Sequence, residues 1–311
     1  MTKVAVLVGI DAYPNAPLSG CVNDANRMRE SLASNYDGSP NFSCYSLLSS
    51  EQQVTRPLLR ENLEKLFRHQ GEVALLFFAG HGYISGLGGY LVTQDTRRYD
   101  EGISMTDVLS LASRSRSTEI VIMLDCCHSG AFGQVPLMTA EQAILREGLT
   151  VLCASRSDES AIESNGSGLF TSLVYEALGG GAASLTGEVT VASLYSFVER
   201  NMGPWQQRPQ FKANLSRLEV LRRCDPLVEL SALRLLTRYF ETPDQVIPIN
   251  ASSPDNDIEL GEQKARLSHF RSYRAAGLIK TPEHGAMAFD GSILLTSLGR
   301  YFWKVAKERR I

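Results

Sequence analysis

Short apolar runs at Val4–Ile10, Cys44–Leu48, Val73–Phe78, Ile120–Leu124 and Thr150–Ala154 alternate, over the first half of the chain, with amphipathic stretches at Asn23–Ser34 and Pro57–Arg68. Runs of this length, separated by helix-patterned segments, predict βαβ units on a largely parallel sheet with helices on its faces. In such sheets the chemistry collects just beyond the carboxyl ends of the strands. Two segments fall there: Ala79-Gly80-His81-Gly82 after Val73–Phe78, and Asp125-Cys126-Cys127-His128-Ser129-Gly130 after Ile120–Leu124.

Beyond Cys153 the chain is rich in Ser and Gly from Ser155 to Gly168, which reads as mobile surface loop. A helix over Leu169–Leu178 is then broken at Gly179–Gly181, a second helix spans Val191–Asn201, and a last strand over Leu215–Leu221 closes a first domain at residues 1–224. Residues 225–311 differ in character. Helices are predicted at Val228–Phe240 and Glu262–Ala276, with a Pro-containing polar stretch between them, then two short strands and a helix over Thr296–Arg309.

A hydrophobic content of 43% over 311 residues can fill a sizeable core. The net charge of −3, from 31 basic and 34 acidic residues, gives no global signal for nucleic acid, an anionic membrane or a polyanionic substrate. The cysteines at 21, 44, 126, 127, 153 and 224 fit neither a disulfide framework nor a zinc spacing, and point to a reducing compartment. Val4–Ile10 is too short for a signal-peptide core, and no run approaches the roughly 20 apolar residues of a membrane helix, so a cytoplasmic location without a membrane segment is expected.

Thiol catalysis requires a thiolate, and a free cysteine with a pKa near 8.5 needs a base beside it. His81 is the candidate base, flanked by Gly80 and Gly82, where missing side chains let a substrate backbone come close. Strand residues alternate between faces, so Asp125 and Cys127 share one side while Cys126 and His128 take the other. Cys127 is therefore the candidate nucleophile, and the backbone N–H groups of Gly82 and Cys127 are candidate oxyanion donors. Cys21, Cys126 and Cys153 read as small core residues.

Gly9-Ile10, Gly20-Cys21-Val22-Asn23-Asp24-Ala25, Phe78-Ala79-Gly80-His81-Gly82 and Asp125-Cys126-Cys127-His128-Ser129-Gly130 resemble the metacaspase and orthocaspase branch of the caspase-like peptidases, over about residues 3–221. The His81–Cys127 separation is similar to the roughly 50 residues typical of caspases. The resemblance implies an α/β caspase–haemoglobinase fold, with a mostly parallel central sheet flanked by helices, and a His81–Cys127 dyad. It further implies a cysteine endopeptidase cutting protein substrates after Arg or Lys, with Asp24 and Asp125 as the acids of the S1 pocket. Charge-assisted hydrogen bonds of roughly 1.5–3 kcal/mol each suit that assignment. Ala79 departs from the family, which often has Ser there. Asp24 has a second reading as the N-cap of a helix from Ala25.

No cofactor is expected. Calcium stays an open alternative: Asp95, Asp100 and Glu101 match the family's acidic region loosely, while Gln134 stands where another acid ligand would be. Arg146 is a candidate self-cleavage site, with Arg156 a weaker one, because loops concentrate proteolytic nicks. Residues 225–311 resemble a winged helix-turn-helix, a small α+β module, with Ala276-Gly277-Leu278-Ile279, Leu295-Thr296 and Gly299-Arg300-Tyr301 around its wing. Their twelve basic and eleven acidic residues lack the basic face of a DNA-binding module. Lys304, Lys307, Arg309 and Arg310 suit the dipole at a helix end. DNA is therefore not the expected partner, although a transcription regulator remains the alternative function. Bacterial proteins that join caspase-like domains to small modules resemble anti-phage or cell-death components. By that likeness a nucleotide or protein activator acting on residues 225–311 would release a latent protease.

Overall fold

The computed structural model describes residues 3–85, 88–97, 100–126, 138–139, 142–143, 145–154, 163–164, 167–202, 209–215, 217–248, 260–281 and 292–311. The chain divides into two compact units, one of Met1–Ala183 with Glu188–Cys224 and one of Ser184–Gly187 with Asp225–Ile311.

The first unit runs β1 (Lys3–Gly9), α1 (Cys21–Ala33), β2 (Phe42–Leu48), α2 (Arg56–Arg68), β3 (Val73–Gly80), β4 (Gly82–Ser85), β5 (Gly88–Arg97), β6 (Asp100–Ser104), α3 (Met105–Ser113) and β7 (Glu119–Cys126). It continues through β8 (Leu149–Cys153), α4 (Leu169–Glu176), β9 (Glu188–Thr190), α5 (Val191–Asn201), β10 (Gln210–Asn214) and β11 (Val220–Arg223). A six-stranded sheet has the order β10-β8-β7-β3-β1-β2, parallel except for β10. Every residue of β3 and β7 is buried. Leu75, Phe77, Val121 and Met123 pack with α1, α4 and α5 on one face, and Leu76, Phe78, Ile122 and Leu124 with α2 and α3 on the other. Burial on both faces is why these strands read as unbroken apolar runs.

Local sequence starts the helices. Thr55 accepts from Leu58 N at 3.4 Å to cap α2, Ser104 caps α3 through Asp107 N, and Thr190 with Ser193 closes a capping box on α5.

One expectation is corrected, one is located more closely, and one region without a predicted element gains structure. The strand expected at Leu215–Leu221 is instead two: β10 pairs antiparallel with β8, and β11 with β9. The break expected at Gly179–Gly181 falls on Gly180, whose φ of 124° kinks the helical turn that follows α4, with Ala177 and Leu178 buried. Residues 82–113, which carry no strong sequence signal, form the antiparallel sheet β4-β5-β6 and α3 directly after His81.

The second unit runs α6 (Leu230–Arg234), α7 (Leu236–Tyr239), β12 (Ile247–Pro248), α8 (Leu260–Ala275), β13 (Ile279–Lys280), β14 (Ser292–Leu295) and α9 (Ser297–Lys307). Its small sheet has the order β12-β14-β13. The single helix expected over Val228–Phe240 is thus two short ones meeting at Leu235. Leu185 packs into this unit's core with Leu233, Phe240, Phe270 and Tyr273, and the Trp303 indole donates to Phe240 O at 2.7 Å. Among the described residues, no helix is long and apolar enough to cross a membrane.

Candidate active site

His81 leaves the carboxyl end of β3 and is held by the loop that follows β1. Its Nε2 lies 2.6 Å from Ala16 O. A carbonyl oxygen only accepts, so Nε2 carries a proton and Nδ1, on the other side of the ring, is the nitrogen left to act as a base. Tyr13, from the same loop, packs against the imidazole with ring centroids 4.5 Å apart.

Gly82, the first residue of β4, pairs with Leu91 of β5. The preceding pair is joined by a bond from Val92 N to His81 O at 3.0 Å. Bonded and non-bonded pairs alternate in an antiparallel ladder, so the Gly82 N–H turns away from β5.

Asp24 and Asp125 come together from distant parts of the chain. Asp125 is the penultimate residue of β7, on the face that carries α1 and α4. Its Oδ2 accepts from the Thr171 hydroxyl at 2.5 Å and from Thr171 N at 3.2 Å, in the first turn of α4. Asp24 is 2% exposed in the first turn of α1, and its Oδ2 accepts from Gly168 N at 3.0 Å. The N-cap alternative for Asp24 is corrected, since Gly20 occupies that position. The orphan donors Cys21 N and Val22 N bond the Asp11 carboxylate instead, at 2.8 and 3.1 Å. The Cys21 thiol is pushed well up by burial and then by the carboxylates of Asp11, Asp125 and Asp24. Three acids therefore act on one buried locale, a field that favours a cation and keeps Cys21 un-ionised.

Cys126 is 1% exposed and packs on the opposite face with α2 and α3. Burial pushes Cys153 up to about 12. Cys127 lies outside the described residues, as do His128, Ser129, Gly130, Gln134 and Arg156. Arg146 lies within them. Its guanidinium donates to Ser115 O at 2.8 Å and Ser117 O at 2.7 Å, so cleavage after it requires releasing this anchor.

Two of the three acids considered for calcium, Asp95 and Asp100, have other partners, while the side chain of Glu101 lies outside the described residues. Asp95 Oδ1 accepts from Arg56 N at 2.9 Å and from the Thr93 hydroxyl at 2.7 Å, which caps α2, and Asp100 pairs with Arg56. Among the described residues no group of three or more His, Cys, Asp or Glu is arranged to hold a metal ion.

Sequence reasoning missed Tyr13, the Ala16 carbonyl, Asp11, Gly168 and Thr171. Gly168 was expected in mobile surface loop, yet it is buried against both acids.

The profile of the caspase domain family matches residues 2–219. Metacaspase-4 of Arabidopsis thaliana is 32% identical over 147 residues, covering 42% of this chain and 34% of that protein. Metacaspase-6 of the same plant is 30% identical, over 42% of this chain and 39% of its own length. Metacaspase-1B of Aspergillus oryzae is 25% identical over 57% of this chain and 46% of its own length. The chain thus spans between about a third and a half of the relatives it matches. Among solved structures, the fold is similar to GSU0716 of Geobacter sulfurreducens, with a TM-score of 0.54 at 14% identity, covering 72% of this chain and 100% of that one. It is also similar to caspase-1 of Spodoptera frugiperda, with a TM-score of 0.50 at 12% identity, over 71% and 91% of the two chains.

Proposed function

The chain belongs to the caspase domain family, and we propose that it is a cysteine endopeptidase cleaving protein substrates after Arg or Lys. The observation that carries this reading is the hydrogen bond between His81 Nε2 and Ala16 O, which leaves Nδ1 as the base of the ring. In the proposed reaction Nδ1 takes the proton of Cys127 Sγ, and the thiolate attacks the scissile carbonyl. The oxyanion is held by the N–H groups of Gly82 and Cys127. His81 returns the proton to the leaving amine, and water then hydrolyses the thioester.

Asp24 and Asp125 take the role of the acids that select a basic side chain. Support comes from their common anchorage at Gly168 and Thr171, and from the joint action of both carboxylates on the Cys21 thiol. Charge-assisted bonds from a guanidinium to these buried acids are worth roughly 1.5–3 kcal/mol each.

A winged-helix-like reading of residues 225–311 is supported by the succession of two short helices, strand, helix, strand, strand and helix, and by the strand order β12-β14-β13. We assign this unit a regulatory role, answering a nucleotide or protein activator that releases a latent enzyme, in bacterial defence or cell death. Its near-neutral charge speaks against duplex DNA as the signal, because phosphate contacts require a basic face.

Cleavage of matched fluorogenic peptides ending in Arg, Lys or Asp, by the wild type and Cys127→Ala, tests the function. Arg or Lys cleavage lost in the variant is expected, and parallel wells with calcium or chelator decide the metal. Cleavage after Asp, or activity surviving in Cys127→Ala, would overturn the reading.

A further inference from the structure

The β4–β5 ladder is interrupted at the catalytic histidine by a side chain from another part of the fold. His81 and Val92 stand opposite one another as the continuation of the Gly82–Leu91 and Tyr83–Tyr90 pairs. Val92 N donates to His81 O at 3.0 Å, as a bonded antiparallel pair requires. The reciprocal bond, from His81 N to Val92 O, is replaced. His81 N donates to the Tyr13 hydroxyl at 3.0 Å, and that hydroxyl donates to Val92 O at 3.1 Å. A direct N–H···O bond spans about 2.9 Å, so the inserted oxygen wedges the two strands apart on one side of His81.

The wedge is firmly built. Tyr13 is 6% exposed. Its loop is pinned by Leu18 N on Asp11 O at 2.9 Å, by Asp11 N on Ser49 Oγ at 2.9 Å and by Gln94 Nε2 on Ala12 O at 2.8 Å. Space for the hydroxyl comes from Gly80, where a Cβ would lie 2.5 Å from the Tyr13 oxygen. The glycine before the histidine thus has a stated reason. The same loop supplies Ala16 O to Nε2, so one segment fixes the backbone, the ring face and the tautomer of His81.

We propose that Tyr13 is a positioning residue for the reaction: by replacing one ladder bond with its hydroxyl, it seats His81 so that the imidazole reaches Ala16 O and offers Nδ1. This inference rests on the His81–Cys127 reading above. In Tyr13→Phe the ring still fills its space, while His81 N and Val92 O can close on one another directly. The ladder then becomes regular and the imidazole swings from Ala16.

Two measurements on the full chain test this. In the first, nitrogen NMR of ¹⁵N-histidine-labelled protein should show His81 as a single Nε2–H tautomer in the wild type and lose that signature in Tyr13→Phe. In the second, Tyr13→Phe should lower kcat on an Arg peptide by about 10-fold or more while KM stays within about twofold, the pattern of a misplaced reacting group. The thermal midpoint should be retained. An unchanged tautomer, or an unchanged kcat alongside an inactive His81→Ala control, would overturn the positioning role alone. Activity persisting in His81→Ala would overturn the dyad beneath it. The NMR arm decides the inference even where the wild type is silent toward peptides.

Discussion

A methyl group added at Gly168 would stand 2.3 Å from Asp125 Oδ2, so the glycine backbone and the carboxylate are in direct contact. The same residue gives its N–H to Asp24. Gly168→Ala must push Asp125 aside or tilt the start of α4, and overpacking of this kind costs about 1–3 kcal/mol. We predict a lower thermal midpoint and a fall in kcat/KM for Arg peptides that exceeds the fall for peptides with a neutral residue at the cut. Equal falls for both would separate Gly168 from specificity.

Thr171 offers a gentler perturbation of the same pair. Thr171→Val keeps the side-chain shape and the N–H donor but removes the hydroxyl bond to Asp125. Losing a donor to a buried charged acceptor should destabilise the protein by about 1–3 kcal/mol. Chemical denaturation should show that loss as a lower midpoint, with discrimination for Arg over neutral peptides weakened.

Both residues show where the sequence ran out. The strands of the central sheet were legible because burial on both faces writes an uninterrupted apolar run, as in Val73–Phe78. Asp24, His81 and Asp125 stood out because they sit in short motifs beside such runs. Gly168 did not, since Ser and Gly are equally common in exposed loops and buried turns. What distinguishes it is Asp24, 144 positions earlier. Tyr13 was hidden for the same reason, as it acts on a backbone N–H 68 positions away. Residues 82–113 gave little signal because β5 alternates buried with half-exposed residues and carries Thr, Gln and Asp at its end.

Glu119, at the start of β7, makes the stability of the protein depend on pH. Burial pushes its carboxyl up to about 7 from an ordinary value near 4.5. Glu219 N donates to Oε2 at 2.8 Å, while Oε1 is buried with no hydrogen-bond partner among the described residues. Between those two values the folded chain holds a proton that the unfolded chain has released. Stability contributed by this group is therefore complete below pH 4.5, falls as pH rises toward 7, and is level above it, by about 3 kcal/mol in all. Glu119→Gln should flatten that window. Comparing thermal midpoints of the two proteins at pH 5 and pH 8 checks it, and an equal pH response in both would refute it.

The nucleophile carries the whole account, and covalent labelling addresses it most directly. We predict that a peptidyl acyloxymethyl ketone ending in Arg forms one adduct per chain, that peptide mapping places it on Cys127, and that His81→Ala slows its formation by about 100-fold or more. An adduct on Cys126, on Cys21 or on no cysteine at all would contradict the assignment.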